Sequence, residues 1–284
     1  IVGLSVALFL SVTHVRRAAR DGFAGVISQT DLIVGPPGGA VQLLLYTVFH
    51  MGSPTANIDY ETAEALQEHP AVAWTIPISL GDSHRSYRVV ATSVSFYEHY
   101  RFHGDERVEF QTGQAPSGLW DVAVGSEVAR RLEYQVGQPI VVTHGLGQAG
   151  IMDHADKPFT IVGVIAPTGT PVDQSVFVTL EGFEAMHIDW SAGAPPLPGT
   201  AIPADAVSAG DIVVDEVTAL FVGTNTRIEA LQLQREINTE WSTPLLAILP
   251  GVTLSELWRV VGYAESGLLL VSGFVVVVGL LGMV

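Results

Sequence analysis

Two uncharged apolar runs bracket this chain, and they set the problem any fold must solve. The stretch from Gly267 to Val284, "GLLLVSGFVVVVGLLGMV", and the stretch from Ile1 to Thr13, "IVGLSVALFLSVT", hold no charged side chain. An α-helix rises about 1.5 Å per residue, so the C-terminal run would reach about 27 Å, close to the hydrocarbon core of a bilayer. The N-terminal run is roughly half as long as a span needs to be. A buried core helix would accommodate the first run and a signal-peptide core the second. A signal peptide, however, carries a basic leader and a small-residue cleavage site, and neither is visible. The sequence is therefore expected to begin inside one membrane helix and to end inside another.

Between these runs, from about Arg16 to Glu265, the chain reads as an ordinary acidic globular body. It carries 29 acidic and 13 basic residues, a net charge of −16. That balance argues against a nucleic-acid partner, which needs a basic face to neutralise phosphates. It argues equally against flat binding to anionic lipid. The chain has no cysteine, which excludes thiol catalysis, zinc fingers, iron–sulfur clusters and disulfides. Arg16, Arg17 and Arg20 follow the first apolar run, but charge bias does not orient a segment as long as the one between the two runs.

Periodicity gives a coarse order of elements. "TDLIVGPPGGAVQLLLYTVF" reads as a short strand, a Pro-Gly turn and an apolar segment. Asp59 is placed to cap a helix in "YETAEALQEH". "AVAWTIPISL" and "SYRVVATSV" are strands with "GDSH" as the turn between them. "DVAVGSEVARRLEYQVGQPIVVTHG" gives strand, helix, glycine turn and strand, and "KPFTIVGVIAPTG" and "QSVFVTL" add two β-branched strands. "LEGFEAMH" is a short helix, and 193–210, rich in Pro, Ala and Gly, is a loop. After a strand in "DEVTALFVGT", Thr226 and Glu229 form a capping box for a helix with Ile228, Leu231 and Ile237 toward one side. A second box, Thr253 with Glu256, is expected to open a helix that runs unbroken into the terminal apolar run.

Chemistry-bearing motifs are few. "GLGQAG" at Gly145–Gly150 fits the dinucleotide pattern, but no helix pattern follows to receive a pyrophosphate. No phosphate-binding loop, nucleophile elbow or HExxH is present. Histidine is more informative. His144, Asp153, His154 and Asp156 crowd one loop, and His99 and His103 lie four apart. Imidazole and carboxylate together suit zinc, so the first set is the candidate metal group and the second a weaker one. Solvated loop histidines are the commoner meaning of either pattern. The apolar runs have no ionisable residue at their centres, so they offer no ion path.

The phrases "LFLSVTHVRRAARDGF", "TDLIVGPPGG", "VAVGSEVARRLEYQVGQPIVV", "FTIVGVIAPTGTPVDQSVFVTLEGFEAMH" and "VTALFVGT…IEALQLQREI" occur in an order that resembles the permease subunits of bacterial ABC systems of the MacB, lipoprotein-releasing and FtsX-like type. The resemblance implies an α+β fold in four parts: a first membrane helix and stalk (1–24), a porter-like mixed α/β subdomain (25–112 and 211–250), an inserted β-rich sabre-like subdomain (113–210), and a stalk helix with a second, truncated membrane helix (251–284). It implies a non-catalytic subunit of the bacterial inner membrane with its large domain in the periplasm. Its partners would be a second permease copy or paralogue, a separate cytoplasmic ATPase that holds ATP and magnesium, and a periplasmic or outer-membrane protein. The His144–Asp156 loop departs from the better-known members and raises zinc as a ligand. A two-span receptor with a periplasmic sensing domain is the alternative of a different class.

Overall fold

The structure, a computed structural model, describes residues 25–145, 152–190 and 200–281, together with His14 and Pro196. In chain order the strands are β1 (Leu32–Gly35), β2 (Ile58–Asp59), β3 (Val72–His84), β4 (Tyr87–Thr92), β5 (Arg101–Phe102), β6 (Glu106–Arg107), β7 (Phe110–Gly113), β8 (Asp121–Val124), β9 (Pro139–Ile140), β10 (Thr143–His144), β11 (Met152–Asp153), β12 (Phe159–Ile165), β13 (Ser175–Thr179), β14 (Glu216–Val217), β15 (Ala219–Thr224) and β16 (Leu246–Ile248). The helices are α1 (Ala40–Val48), α2 (Tyr60–Gln67), α3 (Ser95–His99), α4 (Ser126–Leu132), α5 (Leu180–Met186), α6 (Arg227–Thr239) and α7 (Pro250–Leu281).

One mixed sheet organises the body, in the order β16-β1-β15-β3-β4-β13-β8-β12-β7, with β9, β10 and β11 paired off this path. β13 runs parallel to β4 and β12 parallel to β8; the other neighbours along the path are antiparallel. The fold is therefore α+β around a large mixed sheet, as expected. Strands from 113–210 hydrogen-bond directly into the sheet built by 25–112, because β13 pairs with β4 from Ser175↔Arg88 to Thr179↔Thr92.

Apolar residues without a polar alternation make these strands two-sided. Val122, Val124, Val176, Val178, Leu220 and Val222 face one core, covered by Ala63 and Leu66 of α2, Val128 of α4, Met186 of α5, and Leu233 and Ile237 of α6. Ala123, Phe177 and Phe221 face the other, with Leu43 and Leu44 of α1 and Phe96 of α3. Phe96 stacks on Phe177 at 5.1 Å and on Tyr100 at 4.8 Å. Each buried Val, Leu, Ile, Phe or Met among these contributes about 1.5–3 kcal/mol through the water it sheds.

Several local expectations need correction. The apolar segment after the Pro-Gly turn is the helix α1, with Thr47 Oγ1 donating to the Leu43 carbonyl at 2.6 Å. "GDSH" lies within β3, and the hairpin turns at Arg85 and Ser86, both at positive φ, the pairing expected of a two-residue turn. Asp59 stands at the N-cap of α2 without a side-chain capping bond. Helix α6 buries Ala230, Leu233 and Ile237, whereas Ile228 and Leu231 are exposed. α7 starts at Pro250, whose fixed φ suits a first helical position. Thr253 is thus inside the first turn, its amide bonded to the Leu249 carbonyl at 3.0 Å, and does not cap it.

α7 is one unbroken helix of 32 residues. Among the described residues no helix is long and apolar enough to cross a membrane. The expected first span lies outside the described residues apart from His14, and several side chains of the expected second span lie outside them too.

Candidate metal centre

A fault in β-sheet register supplies the first residue of the site. Pairing between β3 and β4 shifts between Leu80 and Ser83, and such bulges re-aim side chains. Asp82 sits in that irregularity and is fully buried, with its carboxylate turned toward β10. β10 pairs with β3 through Thr143↔Ser83, and the Gly145 amide donates to Asp82 Oδ1 at 3.1 Å.

The β10–β11 hairpin brings two histidines. Thr143 faces Asp153 and His144 faces Met152, while the His154 amide continues the ladder to the Val142 carbonyl. Successive strand residues point to opposite faces, so the pleat that gathers His144 and His154 carries Asp153 away. Asp153 Oδ1 instead accepts from Thr143 Oγ1 at 2.6 Å. Asp156 is occupied as well: its Oδ2 accepts from Lys157 Nζ at 2.6 Å. Of the four residues expected at a metal, His144 and His154 converge; Asp153 and Asp156 do not. His99 stacks flat on Trp74 at 5.1 Å and His103 lies in a left-handed turn beyond α3, so those two do not share a helix face.

Two further members were not legible as such. One is Asp82, expected to be a turn residue. The other is His187, the C-cap of α5, whose Nδ1 donates to the Phe183 carbonyl at 3.0 Å. A carbonyl only accepts, so this bond places the proton on Nδ1 and leaves Nε2 aimed at the cluster. His187 Nε2 is 3.2 Å from Asp82 Oδ2 and 3.2 Å from His144 Nδ1, and His144 Nδ1 is 3.1 Å from Asp82 Oδ1. Potential ligand atoms of Asp82, His144, His154 and His187 all lie within 4.8 Å of one another. No sequence spacing connects residues this far apart; only the bulge, the hairpin and the helix end bring them together.

Trp190 closes the group, its ring 4.7 Å from those of both His144 and His154. Lys157, itself buried, ties the two loops together by donating to both carboxylate oxygens of Asp189 at 2.9 Å. The electrostatics follow from this enclosure. Burial pushes the Asp82 carboxyl up, but the adjacent His144 and His187 imidazoles, with the Gly145 amide, outweigh it and hold the group well below the usual carboxylate range. The Asp82 hydrogen bond raises His144, against its desolvation. Desolvation, reinforced by His187, pushes His154 down to about 4. His154 is therefore a neutral imidazole near pH 7, and neither of its ring nitrogens has a hydrogen-bond partner.

Over residues 1–239 the chain matches the family described as the MacB-like periplasmic core domain, and it belongs to that family. No curated protein matches it. Among solved structures it is similar to the periplasmic region of MacB from Actinobacillus actinomycetemcomitans, with 9% identity, a TM-score of 0.45, and coverage of 81% of this chain and 94% of that one. It is also similar to the extracellular domain of the noncanonic ABC-type transporter YknZ from Gram-positive bacteria, with 10% identity, a TM-score of 0.42, and coverage of 77% and 98%. Family membership makes the chain a component of a transporter of the MacB-like type.

Proposed function

We propose that this chain is a non-catalytic permease subunit of an ABC transporter in the bacterial inner membrane. In this reading a separate cytoplasmic ATPase hydrolyses ATP, and α7 passes the resulting displacement to the periplasmic body of a dimer. Family membership over residues 1–239 is the observation that carries the reading. α7 supports it physically, because it is uninterrupted over 32 residues and its first turns are anchored in the core by buried Thr253 and by Leu254. The division into a porter-like part and an inserted part at 113–210 belongs to the same proposal.

These 284 residues hold no cysteine, so an introduced one is unique within them. Asp105, whose side chain is exposed, accepts an Asp105→Cys spin label at the β5–β6 turn. In membranes holding the full-length protein together with its candidate ABC ATPase, the ATPase is expected to copurify. ATP is expected to change the label-to-label distance between two copies. Val260→Pro, which interrupts the α7 hydrogen-bond ladder, should retain copurification and abolish that change. Failure of the ATPase to copurify, or a distance indifferent to nucleotide, overturns the proposal.

A further inference from the structure

The Asp82–His144–His154–His187 group, in which Asp82 and His154 are buried and His144 and His187 half-buried, has more lone pairs than protons to share when its imidazoles are neutral. His187 Nε2, opposite a bonded Nδ1, points at His144 Nδ1 and at a carboxylate oxygen. One proton on His144 Nδ1 relieves part of that repulsion. It does nothing for His154, which is 1% exposed and has no hydrogen-bond partner at either ring nitrogen. Buried polar atoms are almost always satisfied, and leaving one unpaired costs about 1–3 kcal/mol. A cation at the centre would satisfy all four residues at once.

We propose that these four residues bind one divalent transition-metal ion of the zinc class. Three borderline imidazoles with one carboxylate suit Zn²⁺, whereas Ca²⁺ and Mg²⁺ prefer shells made of oxygen alone. Ligands about 2.0–2.1 Å from a tetrahedral ion stand about 3.3–3.4 Å apart. His144 Nδ1 lies 3.1 Å from Asp82 Oδ1, His187 Nε2 3.2 Å from the other carboxylate oxygen, Oδ2, and the two nitrogens 3.2 Å apart, each close to that edge length, and a ring nitrogen of His154 lies within 4.8 Å of the others. The shell also has outer support: the Phe183 carbonyl fixes the His187 tautomer and the Gly145 amide holds Asp82, as in established metal sites. Four protein ligands leave no open position, so the ion is a clamp rather than a catalyst. It joins the β3–β4 hairpin, the β10–β11 hairpin and the end of α5, which lie far apart in sequence.

The test uses the full chain stripped with a chelator and then offered Zn²⁺ or Co²⁺. One equivalent of zinc is expected to survive gel filtration, and cobalt is expected to show the intense visible bands of a four-coordinate ion. His144→Gln/His154→Gln should weaken zinc binding by on the order of 100-fold or more, whereas Asp153→Asn should bind like wild type. Circular dichroism of each metal-free variant checks its fold. Should the double variant fail to fold, the cobalt spectrum of the wild-type chain still decides the matter. No retained zinc, a six-coordinate cobalt spectrum, or equal binding by wild type and the double variant overturns the proposal. None of these outcomes bears on the permease reading, which stands or falls by copurification and the nucleotide-dependent distance.

Discussion

At the scale of single residues, the least ordinary feature is a lysine with no solvent exposure. Lys157 is held by Asp156 and Asp189. A buried charge that loses its partner is costly, about 3–5 kcal/mol. Lys157→Met leaves the Asp189 carboxylate without its counter-charge, holding the Ile202 amide at 2.8 Å, and it is expected to lower the stability measured by denaturant unfolding by up to about that amount. The double variant Lys157→Met/Asp189→Leu should cost less than the two single changes combined, since the orphaned charge goes with its partner. A second residue-scale expectation concerns acid. Burial, and then the positive charge of Arg88, pushes His50 down to about 3, and its Nδ1 lies 2.7 Å from Ser175 Oγ. Between about pH 6.5 and 3 the unfolded chain therefore binds a proton that the folded chain refuses, so the His50 contribution makes stability fall as pH falls through that window. In His50→Gln the unfolding free energy should decline less steeply over the same range.

At the scale of elements, signals that act over a few residues were legible and those that depend on pairing were not. Thr226 does cap α6, its Oγ1 accepting the Glu229 amide at 3.2 Å, and Thr226→Ala is expected to lower stability by about 1 kcal/mol in thermal or denaturant unfolding. The β-branched runs of β4, β12 and β13 read directly as strands because burial on both faces leaves their central residues, Val89–Ala91, Ile161–Ile165 and Val176–Val178, almost wholly apolar. The "GDSH" stretch misled for an equally physical reason: small polar residues favour turns, yet here they form the bulged end of a long strand, where the Gly145 amide holds Asp82 Oδ1. Helical spacing groups Ile228 and Leu231 with Ile237 on one side, whereas the stripe of Ala230, Leu233 and Ile237 is the one that packs inward. Of the candidate ligands, His144 and His154 were visible through local crowding. Asp153 was lost to the strand pleat, and Asp82 and His187 depend on long-range contacts that no window of sequence contains.

At the scale of the whole molecule, family membership and the mixed sheet agree with the phrases read along the chain. One consequence follows from the parallel ladder of β4 with β13, which spans Ser175↔Arg88 to Thr179↔Thr92. Rotating the 113–210 portion about that seam would rupture a row of buried main-chain bonds, each of them expensive to leave unmade. In the proposed permease, a push delivered at the base by α7 would then tilt the body like a rigid crank, with the largest travel at the tip farthest from the axle.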